Sequence, residues 1–266
     1  MGIKSTITLT EAQKLFESFH LTQLLPTKDG VIDTTYRAKS TAKEYILKKY
    51  ERDIQERIAF DTKLLEHLSR KGLAVPKLLH KNKEWYLYTH LTGKSPQKAQ
   101  LHHLKSVGRF VAQLHRETQY LCSKREFLKN YDIKKLLREQ KIKNYFYYKK
   151  IQNLQTSAKH IDGFIHGDIF MDNTLFCSNK MALFDFIDGG DGNFAFELGV
   201  ILLSFNPSKR KSYTEILLRS YNQNAPRKIA LRELEEQRQE AAKLYILLRL
   251  TNRQNTKRAK ELVKLC

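Results

Sequence analysis

The spacing of apolar residues changes along the chain. Leu15, Phe16 and Phe19 form an apolar stripe that predicts a short helix over residues 11–20, with Thr10 as its N-cap. Lys28-Asp29-Gly30 marks a turn, and Val31 to Ala38 then reads as a strand. A polar turn at Thr41 and Ala42 leads into a second strand, Tyr45 to Tyr50 (YILKKY), and a hairpin is the simplest connection. From Asp53 to Arg70 the period becomes helical. Ile54, Ile58, Leu65 and Leu68 share one face, and Asp61 falls on that same face. Lys71-Gly72 ends this helix, with Pro76 beyond it. Trp85 to His90 (WYLYTH) predicts another strand, closed by the turn-rich Thr92-Gly93-Lys94-Ser95-Pro96.

Beyond Gly93 the pattern is mostly helical. Leu104, Val107, Val111 and Leu114 define an amphipathic helix, and residues 126–156 predict more helix with a polar, basic surface. Short strands are expected around 164–187, and everything after Phe194 reads as helix. A strand-rich first third and a helix-rich remainder predict an α+β protein of two lobes. The boundary is expected near residues 91–96, giving lobes over 1–91 and 92–266.

Composition narrows the class. Hydrophobic residues make up 41% of the 266, enough for a real core. The longest apolar stretch, Leu198 to Phe205, is far shorter than the ~20 residues a membrane span requires. The opening MGIKSTITLTEAQ lacks the apolar region of a secretory signal. Cys122, Cys177 and Cys266 form no CxxC pair, which predicts buried free thiols and a reducing, cytoplasmic setting. The net charge of +20 attracts polyanions: nucleic acid, an acidic membrane surface, or nucleotides. From Lys124 to Lys150, ten Lys or Arg stand against three acids and interleave with Tyr145, Phe146, Tyr147 and Tyr148. Such a segment can bind single strands, although a solvated helical face accounts for it more simply. No zinc-finger, basic-zipper or RNA-recognition signature supports a nucleic-acid partner.

The chemistry is concentrated in Phe164 to Asp185, FIHGDIFMDNTLFCSNKMALFD. Asp168 precedes Asn173 by five residues, and Asp185 follows twelve later in an apolar strand. Protein kinases use this spacing. Phosphoryl transfer needs an acceptor oxygen held in line with phosphorus, and Asp168 would orient that oxygen and accept its proton. Mg²⁺ on a triphosphate prefers hard oxygen ligands, the roles given to Asn173 and Asp185. His166 reads as a brace for the loop. A kinase also needs a strand lysine on the phosphates and a helix acid to hold it. Lys48 and Lys49 point to opposite faces. Lys48 is preferred, with Asp61 as its partner and Glu56 as the alternative. Glu197, an acid inside an apolar run, must be paired and would brace the loop. Asp188-Gly-Gly-Asp191-Gly-Asn193 lacks the ligand alternation of a calcium loop and reads as a turn leaving Asp185.

The segments HGDIFMDNTLF and LFDFIDGGDGNFAFELG resemble the aminoglycoside phosphotransferase and choline kinase group. Within it the chain looks most like the bacterial homoserine kinases of protein-kinase-like fold. GVIDTTYRA before YILKKYE, LLEHLSRKGLAVPKLL and GRFVAQLH extend the likeness over about residues 24 to 205. The resemblance implies a small strand-rich N-lobe that binds nucleotide and a larger helical C-lobe that carries catalysis and substrate. It implies ATP and Mg²⁺ as cofactors, Asp168 as catalytic aspartate, and Asn173 and Asp185 as metal ligands. It makes Lys48 the phosphate-binding lysine and places Thr89, His90 and Leu91 at the hinge that meets adenine. Gly167 stands where protein kinases carry arginine, as expected of a constitutively formed small-molecule kinase. The sequence departs in having Gly30 as the only glycine of the phosphate loop, and Glu197 where relatives usually carry aspartate. The expected substrate is a small molecule with a hydroxyl group: homoserine, an amino alcohol, an aminoglycoside or a sugar. The alternative is a non-catalytic binder of nucleic acid or acidic surfaces on a kinase fold.

Overall fold

The computed structural model describes residues 4–27, 32–251 and 256–264. The chain divides into two compact units, Met1–Thr92 and Gly93–Cys266. The turn at Lys28-Asp29-Gly30, the strand start at Val31, and Cys266 lie outside the described residues.

The first unit is built on an antiparallel sheet of β1 (Gln23–Pro26), β2 (Thr34–Lys39), β3 (Glu44–Lys49), β4 (Leu78–Asn82) and β5 (Trp85–Thr89), in the order β1-β2-β3-β5-β4. β2 and β3 form the expected hairpin, in register from Thr34↔Lys49 to Lys39↔Glu44. The sequence pattern did not predict β1 or β4. Both are outer strands with mostly exposed residues, so they carry no apolar alternation, and β1 ends at Pro26, which a central strand would not tolerate. Helix α1 (Leu9–Leu15) is capped by Thr8 rather than Thr10. Thr8 Oγ1 accepts the Glu11 N–H at 3.2 Å, and the Glu11 carboxyl accepts the Thr8 N–H at 2.8 Å. Gln13, which would complete the same motif with Thr10, instead donates to the Leu21 carbonyl at 2.7 Å. The helix stops at Leu15, and residues 17–19 form a separate 3₁₀ turn. Ala12 and Phe16 pack on Tyr36, Ala38, Tyr45, Leu47, Trp85 and Leu87 to make the core of this unit. Helix α2 (Gln55–Arg70) buries Ile58, Asp61, Leu64, Leu65 and Leu68 and ends before Gly72, whose φ of +84° favours glycine.

The second unit contains α3 (Leu101–Thr118), α4 (Ile133–Lys143), α5 (Tyr145–Ile151), α6 (Phe194–Phe205), α7 (Lys211–Asn222), α8 (Leu231–Thr251) and α9 (Thr256–Val263). Between α5 and α6 lie four short strands in two antiparallel pairs. β6 (Gly163–Ile165) pairs with β9 (Gly190–Gly192), and β7 (Thr174–Cys177) with β8 (Lys180–Leu183). Every residue of α6 is buried, so this helix forms the centre of the unit. α6 packs on α8 and α3 on α7. Gly199 permits the first contact, because a Cβ there would stand 2.8 Å from Arg238 Cα. Asp162 anchors the start of α6. It accepts the Phe194 N–H at 2.9 Å and takes a two-point contact from Arg227, at 2.6 and 2.8 Å.

The basic segment after Lys124 includes α4 and α5, with Ile142, Tyr145 and Phe146 exposed at their junction. Cys122 and Cys177 are exposed free thiols, not buried as expected; Cys122 lies in the loop after α3 and Cys177 at the end of β7. Among the described residues no helix is long and apolar enough to cross a membrane.

Candidate active site

Strand β6 carries the chain into the loop His166–Phe170, a 3₁₀ turn over Met171–Asn173 follows, and β7 leads away. Gly167 has φ +76°, and a Cβ there would fall 1.9 Å from the Phe127 ring. Only glycine fits both the backbone and the space, so the position predicted to replace an arginine holds no side chain for a steric reason.

Asp168 and Asn173 meet directly. Asn173 Nδ2 donates to the Asp168 backbone carbonyl and to Asp168 Oδ2, both at 2.8 Å. The amide nitrogen is thereby committed, which leaves Asn173 Oδ1 as the hard oxygen available to a cation. Asp185 is exposed and sits at φ +69°, in the left-handed region that aspartate tolerates better than most residues. Burial pushes the Asp168 carboxyl up to about 6, against the pull of His166 and the Tyr245 hydroxyl, and the charges of Asp185 and Asp172 push it further. A carboxyl-rich neighbourhood with an amide oxygen is a donor set suited to Mg²⁺, whose charge would relieve that mutual repulsion. His166 braces the loop as expected. Its Nδ1 accepts the Asp168 N–H at 3.2 Å, and Nε2 donates to the Phe184 carbonyl at 3.0 Å, one residue before Asp185. One imidazole thus ties the two aspartates' backbones together.

Beneath this loop is a buried polar chain. Glu197 in α6 is fully buried. Its Oε2 accepts the His166 N–H at 2.9 Å and its Oε1 the Gly167 N–H at 2.6 Å. This is the brace the sequence suggested. His115 of α3 places Nε2 3.3 Å from Glu197 Oε2 and Nδ1 2.9 Å from the Tyr221 hydroxyl, and it stacks on Phe194 at 3.8 Å. Burial pushes the His115 pKa below the ordinary imidazole range, and Glu197 opposes this only in part. A neutral ring that donates to Glu197 and accepts from Tyr221 satisfies every contact. Tyr245 of α8 donates to the Gly167 carbonyl and lies 3.1 Å from Asp168 Oδ1. Sequence reasoning missed His115 and Tyr245. His115 does stand in register with Val111 on the apolar face of α3, a detectable signal, whereas Tyr245 sits in an apolar run that gives none.

In the first unit, Lys48 and Lys49 do point to opposite faces. Lys49 pairs with Glu84 at 2.5 Å, while Lys48 Nζ lies 3.6 Å from Asp33 Oδ2 and 4.8 Å from the Tyr50 ring centroid. Asp33, which also faces Arg52 at 3.5 Å, was not singled out from the sequence. Asp61 is 5% exposed, whereas Glu56 is exposed. Tyr50 and Tyr88 share a hydrogen bond of 3.0 Å. Burial, then Tyr50 and Asp61, push the Tyr88 hydroxyl above the usual phenol range, and Lys48 pulls it down. Lys48 and Asp61 therefore act on the same hydroxyl. Thr89 Oγ1 accepts the Lys77 N–H at 2.9 Å, and His90 Nδ1 lies 3.6 Å from Glu44 Oε2. Leu91 follows beyond the sheet.

The model of a phosphotransferase enzyme family (APH) matches residues 23–236. The homoserine kinase of Bartonella henselae is 25% identical over 231 residues, covering 74% of this chain and 70% of that protein. The homoserine kinase of Polaromonas naphthalenivorans is 25% identical over 228 residues, covering 76% and 72%. Among solved structures, macrolide 2'-phosphotransferase MphH from Brachybacterium faecium superposes with a TM-score of 0.70 at 18% identity, covering 97% of each chain. Amicoumacin kinase hAmiN, in complex with AMP-PNP, Ca²⁺ and Ami, gives 0.69 at 16% identity, covering 96% of this chain and 91% of that one. The fold is thus the one these structures share, an antiparallel N-terminal sheet followed by a helical C-terminal part.

Proposed function

Because the chain belongs to the phosphotransferase enzyme family and is a small-molecule kinase, we propose that it uses ATP and Mg²⁺ to phosphorylate the hydroxyl of a small acceptor of the homoserine type. The observation that carries this reading is the Asp168–Asn173 pair on a loop held by Glu197. Asp168 orients the acceptor hydroxyl and takes its proton as the oxygen bonds to the γ-phosphorus and the bond from that phosphorus to the leaving ADP breaks. Asn173, through Oδ1, and the Asp185 carboxyl would hold the metal, which would offset phosphate charge. Lys48, 3.6 Å from Asp33 and with Asp61 of α2 as its proposed acid partner, holds the α- and β-phosphates. Thr89, His90 and Leu91 meet the adenine. On this reading the first unit binds nucleotide, and the second carries the base and the acceptor. The curated relatives are named for homoserine, and a chain of net charge +20 suits a compact zwitterion better than a polycationic aminoglycoside.

ATP consumption measured over L-homoserine, choline, other amino alcohols, sugars and aminoglycosides tests the acceptor, and homoserine is expected to give the highest kcat/KM. Asp168→Asn is expected to lower kcat by about 10²- to 10⁴-fold without loss of fold. An Asp168→Asn enzyme of undiminished activity would reject the reading.

A further inference from the structure

Two side chains touch the Asp168 carboxyl from opposite sides. Asn173 holds Oδ2 at 2.8 Å from within the same loop, five residues away. Tyr245 approaches Oδ1 at 3.1 Å from α8, seventy-seven residues downstream. The single hydrogen of that hydroxyl is shared between Asp168 Oδ1 and the Gly167 carbonyl, so one phenol contacts both the side chain of Asp168 and the backbone just before it. The ring itself is closely packed. Tyr245 is 7% exposed and packs edge-on against Phe170 at 4.7 Å, and neighbouring Ala241, Ala242, Leu244 and Ile246 of α8 are fully buried. A loop carboxyl would otherwise rotate about its own side-chain bonds. Here it is gripped at each oxygen, once locally and once by a rigid helix.

We propose that Tyr245 is a positioning residue for phosphoryl transfer, fixing the rotamer of Asp168 so that the base faces the acceptor oxygen. The assignment rests on Asp168 being that base. A near-attack geometry is sensitive to displacements of about 1 Å, which can cost on the order of 100-fold in rate. Removing the hydroxyl while keeping the ring frees Oδ1 and leaves acceptor contacts untouched. The effect therefore belongs in kcat and not in the KM for the acceptor. A role confined to holding α8 against the loop would act alike whatever residue stands at 168. A positioning role disappears once the carboxylate is gone.

The test compares wild type, Tyr245→Phe, Asp168→Asn and the double variant, with ATP, Mg²⁺ and L-homoserine, and with basal ATP hydrolysis as a parallel readout. Thermal melting of each variant accompanies the kinetics. Tyr245→Phe is expected to lose roughly 10- to 100-fold in kcat, with KM for homoserine within about twofold of wild type. In the Asp168→Asn background the same change is expected to cost nothing further. An inactive Asp168→Asn together with Tyr245→Phe at wild-type kcat overturns the Tyr245 assignment alone. So does a Tyr245→Phe loss of equal size in both backgrounds. An Asp168→Asn enzyme at full kcat overturns both readings.

Discussion

Asp168 is held in an environment that disfavours its own charge. Its carboxyl is pushed up to about 6, first by burial and then by the acids nearby. On the proposed reading Asp168 acts as base in its carboxylate form, so kcat/KM should fall about tenfold per pH unit below pH 6 and level off above it, and a pH–rate profile reads this directly. Stability runs the opposite way. A carboxyl with a raised folded-state pKa costs nothing below its unfolded value near 4 and costs most above 6. Asp168→Asn should therefore stabilise the fold at pH 8 by about 1–2 kcal/mol, after allowance for partial exposure, and the gain should vanish near pH 4. Urea unfolding at the two pH values measures it. The asparagine amide keeps an acceptor for Asn173, so no new orphan is created.

Among the elements, α6 does most to organise the site. It is apolar and buried on every side, yet it carries Glu197 where two backbone N–H groups and His115 converge. Glu197→Gln keeps the shape but turns an amide N–H₂ toward a backbone donor. It should cost about 1–3 kcal/mol in urea unfolding and lower kcat along with it. Much of this was legible in the sequence. The spacing of Asp168, Asn173 and Asp185 and the misplaced charge of Glu197 are local signals, because each residue type contradicts or completes its own neighbourhood. β2, β3, α2 and α3 were legible through their periods. Asp33 and Tyr245 were not, because their roles depend on what the fold brings beside them. β1 and β4 were missed because outer strands need no apolar alternation, and Thr8 because Thr10 offers the same capping pattern.

For the molecule as a whole, the nucleotide reading predicts linkage. A ligand that binds only the folded chain stabilises it by about 2.7 kcal/mol at a hundred times its Kd. ATP with Mg²⁺ should raise Tm accordingly, EDTA should remove most of that rise, and Lys48→Met should reduce it. A flat melting profile with ATP and Mg²⁺ would count against nucleotide binding. The charge of +20 enters here as a property of the whole surface, with its densest part on α4 and α5 and not at the Asp168 loop.

The Asp168 loop is held by Glu197 of α6, which itself meets His115 of α3, and by Tyr245 of α8, which reaches back over seventy-seven positions to do so. Contacts of such long sequence separation are slow to form. During refolding, helical signal should return early and turnover late, so regained phosphorylation would serve as a clock for the final docking of α8.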